Sequence, residues 1–108
     1  MSAPEEAWPA AVQRRLREFA SARDWERHHT PRNLLLALTA EVGELAELYQ
    51  WCAEDELPAH DRVQDEVADV AMYLLRFADI AGVDVAQAVT EKIARNELRF
   101  PPKTSTAS

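Results

Sequence analysis

Apolar residues recur every three to four positions in four separate stretches of this chain, and nowhere in the two-residue alternation of a half-buried strand. The first stretch, opened by Pro9, predicts a helix to about Arg23 with Val12, Leu16 and Phe19 turned inward. In the second, Leu34, Leu35, Leu38, Val42, Leu45, Leu48 and Tyr49 fall on one arc of a helical wheel. Thr30 before Pro31 marks its start, a hydroxyl cap ahead of a proline at the first helical position, and the pattern fades near Cys52. The third begins near Asp61, gathers Val63, Val67, Val70, Ala71, Leu74, Phe77 and Ala78, and stops at Gly82, a residue suited to a left-handed cap. Asp84 caps the fourth, which runs to about Arg99 before Phe100-Pro101-Pro102. Trp25 to His29 is a connector and Glu54 to His60 a polar break.

These elements predict an all-α, four-helix bundle forming one domain over residues 1–102, with a small, polar, disordered tail at 103–108. The third helix is apolar beyond one stripe. Met72 and Leu75 lie away from the arc that holds Val70 and Leu74, and a helix apolar on two sides is buried on two sides. A chain this short covers such a helix by self-association, so a homo-oligomer is expected.

A net charge of −7 and a pI near 4.9 exclude duplex nucleic acid as the main partner, because phosphate backbones need a basic footprint. No apolar run approaches the ~20 residues that span a bilayer, and the N-terminus has no secretory pattern. Cys52 is the single cysteine, as fits a reducing cytoplasm. Beside a helix end it reads as a small hydrophobe.

Two acidic pairs stand inside the apolar stretches, Glu41-Val-Gly-Glu44 and Glu66-Val-Ala-Asp69. A three-residue step leaves side chains about 60° apart, so each pair shares a helix face. Glu41 falls inside the arc of the second helix, Glu44 on its shoulder and Glu47 opposite, where solvent accounts for it. Glu66 and Tyr73 lie on the shoulder of the third, with Asp69 further out. A buried carboxylate is costly without a partner, and hard oxygen donors converging from two helices suit Mg²⁺, with a substrate phosphate completing the shell. A metal also reconciles an acidic protein with a polyanionic ligand. Gly43, between two of these carboxylates, gives a neighbouring helix or ligand room to approach, or is merely tolerated.

Trp25 in the connector and Trp51 at a helix end offer faces for a nucleobase or for packing; Trp8 beside Pro9 reads as a packing residue. Glu26 and His29 make a single E-x-x-H, half of what a di-iron bundle needs. Lys92, Asn96 and Arg99 share a face of the last helix, either a solvated stripe or, beside a metal–phosphate site, phosphate donors.

With these residues in place the chain resembles the MazG-like, all-α nucleoside triphosphate pyrophosphohydrolases, and among them the dCTP pyrophosphatase branch. The likeness runs from about Arg23 to Pro101. It is densest in Arg23-Asp-Trp-Glu-Arg-His-His-Thr-Pro-Arg-Asn-Leu-Leu-Leu-Ala-Leu and in Glu41-Val-Gly-Glu-Leu-Ala-Glu-Leu-Tyr-Gln-Trp51. The second acidic pair and Lys92-Ile-Ala-Arg-Asn96-Glu-Leu-Arg99-Phe-Pro complete it. The resemblance implies hydrolysis of a nucleoside triphosphate to monophosphate and pyrophosphate, in nucleotide-pool balance or sanitation. It also implies Mg²⁺, replaceable by Mn²⁺, on Glu41, Glu44, Glu66 and Asp69. Trp25, His29, Trp51 and Tyr73 match residues around base and sugar, and Lys92, Asn96 and Arg99 match a phosphate-binding motif. A dimer of dimers is the implied assembly, with a dimer as the smaller alternative. Some members of the branch carry a histidine on the first helix where this chain has Leu16, which leaves base preference open.

On this reading either Glu41 or Glu44 activates the attacking water directly, since no serine or cysteine sits in a triad-like setting. Two other classes stay open: a hydrolase of the same fold acting on dUTP or a damaged triphosphate, and a non-enzymatic acidic helical module that binds a protein.

Overall fold

The computed structural model describes residues 7–103, and among them every regular element is helical. Helix α1 spans Ala10–Ala22, a single 3-10 turn Glu26–His28, α2 Pro31–Gln50, α3 His60–Ala81 and α4 Val85–Arg99. The boundaries follow local chemistry. Thr30 Oγ1 accepts a hydrogen bond from the Asn33 N–H at 3.2 Å while Pro31 takes the position where no N–H is needed. Asp84 repeats the device on the Gln87 N–H at 3.0 Å. Gly82, at φ 71°, closes α3 in the left-handed region where a side chain is strained. The expected C-terminal tail lies outside the described residues except for Lys103, which is exposed and in no regular element.

Helices α2 and α3 pack side by side as a hairpin and form the most extensive interface of the chain. Across α3 lies α1, where Gln13 Nε2 donates to the Leu75 carbonyl oxygen at 2.9 Å. The interior these three helices enclose is small: Ala20, Leu34, Leu75 and Ala78, with Arg76 among them. Helix α4 extends from this body and touches the other helices only sparsely, leaving Val89 and Ile93 half exposed. The radius of gyration, 18.3 Å, exceeds the about 13 Å of a compact domain of this length.

Three sequence expectations are corrected here. Phe19 is 47% exposed rather than inward, because it sits on the rim where α1 meets the connector. Trp8, read as a packing residue, is largely exposed among the described residues. Leu75, read as a second apolar side awaiting another subunit, is only 4% exposed because α1 covers it. The wheel of one helix cannot say which neighbour arrives. Met72, read with Leu75, does stay exposed, and the uncovered apolar residues also include Leu35, Val42 and Tyr49, one heptad apart along α2, and Val67 and Leu74, one heptad apart along α3.

Candidate active site

Side-by-side packing of α2 and α3 brings the acidic pairs together. One oxygen from each of Glu41, Glu66 and Asp69 lies within 4.8 Å of the other two, and all three side chains are partly buried. Oε2 of Glu41 and Oε2 of Glu66 are sealed from solvent without a hydrogen-bond partner. Sealed carboxylate oxygens are costly when ionised, and a divalent cation, or a proton held between neighbouring carboxyls, satisfies them. Burial first, then the hydrogen bond and charge of Glu44, then the charge of Asp69, push the Glu41 carboxyl up to about 7. Glu66 is raised by burial and by the charge of Glu44, against a hydrogen bond with Glu41 that pulls it down. Glu44 itself is exposed and stands outside the group of three.

Two cavities meet this cluster. One, of about 510 Å³, lies between α1, the connector, α2 and α3, with Glu41 and Asp69 at its acidic end. Phe19, Trp25, His29, Met72 and Tyr73 wall it, and Leu16 lies on the same surface. Phe19 meets Trp25 edge-on at 5.5 Å between ring centroids, and Trp25 meets His29 at 6.5 Å. The other, of about 780 Å³, opens beside Glu44 and Glu66 and is lined by Glu47, Trp51, Cys52 and Arg62.

Of the sequence-derived site residues, Glu41, Asp69, Trp25, His29 and Tyr73 thus come together around the first cavity, and Glu66 joins Glu41 and Asp69 in the cluster while lining the second. Glu44 joins from the second, and Trp51, 85% exposed, is in the second cavity and not in the first. Within one chain the two tryptophans therefore do not share a pocket. Lys92, Asn96 and Arg99 lie on α4 and line neither cavity. Space around Gly43 is open: a Cβ there would meet no atom of this chain within 4 Å, so no intrachain helix approach requires glycine.

Sequence reasoning missed two residues of the first cavity, Arg15 and Arg76. Arg76 was findable by the signal that picked out Glu41, a charge embedded in an apolar helical run. Its guanidinium is buried, donating from Nε to His29 Nδ1 at 3.1 Å and from NH1 to Asp79 at 3.3 Å. Arg17 of α1 approaches the same Asp79 at 3.5 Å. Burial, then the positive charge of Arg76, lower the His29 pKa, with His28 adding to the effect and Glu26 opposing it.

Comparison with known proteins follows the same lines. Residues 36–106 match the MazG-like family. The chain is 48% identical over 98 residues to dCTP pyrophosphatase 1 of Mus musculus and 45% identical to that of Homo sapiens, in each case over 84% of this chain. It spans 58% of the length of those relatives. The crystal structure of a pyrophosphatase from Archaeoglobus fulgidus superposes with a TM-score of 0.78 at 31% identity, covering 94% of this chain and all of the other.

Proposed function

The chain belongs to the MazG-like family, and from that premise we propose that it is a metal-dependent nucleoside triphosphate pyrophosphohydrolase that converts dCTP, or a modified dCTP, to dCMP and pyrophosphate. The observation that carries this reading is the pair of sealed, unpartnered oxygens on Glu41 and Glu66, in a carboxylate cluster that opens onto an aromatic-walled cavity. A cavity of about 510 Å³ has the size of a small-molecule site, and its apolar walls suit a base and sugar. The relatives named for dCTP support the substrate.

Glu41, Glu66 and Asp69 would hold Mg²⁺, or Mn²⁺ in its place; such an ion offsets phosphate charge and polarises the phosphorus toward attack. Glu44, outside the three, is left to orient the attacking water and take its proton. Water adds to the α-phosphorus, the bond from that phosphorus to its bridging oxygen to the β-phosphorus breaks, and pyrophosphate leaves with the electron pair. Trp25, His29 and Tyr73 hold the nucleoside at the other end of the cavity.

A homo-oligomer completes this reading, a dimer of dimers being the favoured form and a dimer the smaller one. The uncovered stripe Leu35, Val42, Tyr49, Val67 and Leu74 supports it, as does α4, which leaves Val89 and Ile93 half exposed. A neighbouring copy would bring Lys92, Asn96 and Arg99 to the phosphates and Trp51 to the nucleoside cavity. The unpaired Cys52 thiol fits a reducing, cytoplasmic setting.

The test is a panel of dCTP, 5-methyl-dCTP, dUTP and an oxidised triphosphate, with pyrophosphate and orthophosphate measured separately. Pyrophosphate should appear from dCTP or its modified form, stop with EDTA and return with Mg²⁺ or Mn²⁺. Preference for dUTP or the oxidised nucleotide would keep the chemistry and change the substrate. Orthophosphate release, or activity indifferent to EDTA, would overturn the mechanism.

A further inference from the structure

We propose that Arg76 is a positioning residue of the nucleoside cavity, one that leaves His29 a single role there: an Nε2–H donor offered to an acceptor atom of the base. The inference rests on the reading that a nucleoside occupies this cavity. Its chemical basis is independent of that reading. A guanidinium carries five N–H donors, no acceptor, and does not lose its proton in proteins. The 3.1 Å approach of Arg76 Nε to His29 Nδ1 is therefore a bond only if Nδ1 presents a lone pair. The neutral ring must then carry its hydrogen on Nε2, and that atom makes no hydrogen bond to the protein among the described residues. Nδ1 is occupied and Nε2 is protonated, so His29 can neither take a proton from water nor ligate a metal. It can only donate.

Arg76 is built to impose this. It is 5% exposed, and Asp79 fixes the opposite edge of its guanidinium while also meeting Arg17 of α1. The Arg76–His29 bond spans 47 residues and ties the connector to α3. Since Trp25 meets the His29 ring edge-on, the same bond sets the wall against which a base would lie. The depressed basicity of His29 agrees with a ring held neutral. A fixed donor favours a carbonyl or ring-nitrogen acceptor at that point and rejects an amino group, a form of selection stronger than apolar fit alone.

The experiment compares the intact protein with Arg76→Met, which removes the donor, and Arg76→Gln, which returns an N–H. Circular dichroism melts establish that each variant is folded. Long-range ¹H–¹⁵N spectra of the ligand-free wild type should show His29 protonated on Nε2 and bare on Nδ1. In Arg76→Met the ring should instead titrate like an ordinary histidine. Calorimetry with dCMP should show about 3- to 10-fold weaker binding for Arg76→Met, the range of one neutral hydrogen bond, with recovery in Arg76→Gln. Deoxyribose 5-phosphate, which lacks the base, should bind all three proteins alike. A hydrogen on Nδ1 in the wild type would overturn the proposal, as would equal losses in the Met and Gln variants. Equal losses on deoxyribose 5-phosphate would overturn the assignment to the base. Failure of the wild type to bind dCMP would sink the nucleoside reading, and the spectra would still decide the tautomer.

Discussion

A carboxylate that must lose its proton inside a cluster of other carboxylates couples ionisation to folding and to metal binding. Glu41 has an ordinary pKa of 4.5 and is raised to about 7 in the folded chain. Between those values the native state holds a proton that the unfolded chain has released, so stability falls as pH rises through that window and levels off above it. Glu66, also raised, acts in the same sense and His29, lowered, in the opposite one, so in EDTA the share of Glu41 is the difference between wild-type and Glu41→Gln melts. Wild type should gain on Glu41→Gln as pH falls from 8 to 5, and a difference that shrinks toward pH 5 would contradict the assigned shift. A metal must displace the same proton, so Mg²⁺ should bind more tightly as pH rises toward 7 and change little beyond it, as calorimetry can check. The division of labour is separable too. Glu41→Gln should lose turnover by at least about 10²-fold, the scale of an electrostatic catalytic group. Asp69→Asn should lose Mg²⁺ affinity, whereas Glu44→Gln should keep Mg²⁺ binding and lose turnover. Equal Mg²⁺ affinities in these last two would refute the roles given to them.

The connector between α1 and α2 is the element on which nucleoside binding turns, because it carries Trp25 and His29 yet has little core of its own. Local hydrogen bonds and Arg76 hold it. Thr30 caps α2, Asn33 Nδ2 donates back to the His28 carbonyl oxygen at 2.9 Å, and Arg76 grips His29. Thr30→Ala should cost about 1 kcal/mol of stability. Trp25→Ala removes stacking of about 1–3 kcal/mol, which should raise KM for dCTP roughly 5- to 150-fold. The base is remote from the breaking bond, so kcat should change less. Kinetics on dCTP beside inorganic triphosphate separate the two effects: equal losses would mean that Trp25 holds the fold and not the base. Caps and connector were legible in the sequence because they depend on neighbours within four residues. The grip of Arg76 was not, since its partner lies 47 positions away.

At the scale of the molecule, the covered and uncovered apolar surfaces make opposite forecasts. Leu75 lies under α1, so Leu75→Glu should unfold the chain by burying an unpaired charge. Leu74 is half exposed one residue away, so Leu74→Glu should leave the fold intact and weaken self-association. Light scattering with circular dichroism distinguishes these outcomes. A wild-type monomer at micromolar concentration would remove the oligomer, and with it the route by which Lys92, Asn96 and Arg99 reach the site. Should Trp51 serve a neighbouring copy's cavity, Trp51→Ala should impair dCTP binding only in protein that associates.

Four helices, their caps and the inward-leaning carboxylates were determined by the sequence alone, because helical periodicity and capping are local and a charge on an apolar arc declares its own cost. Tertiary structure decided which arcs meet. It set α1 over Leu75, brought Glu41 of α2 to Glu66 and Asp69 of α3, and separated Trp25 from Trp51. It also placed a guanidinium against a histidine across half the chain. A wheel drawn for one helix gives the direction of each side chain but not the identity of what lies in that direction, and the chemistry of this site depends on that second quantity.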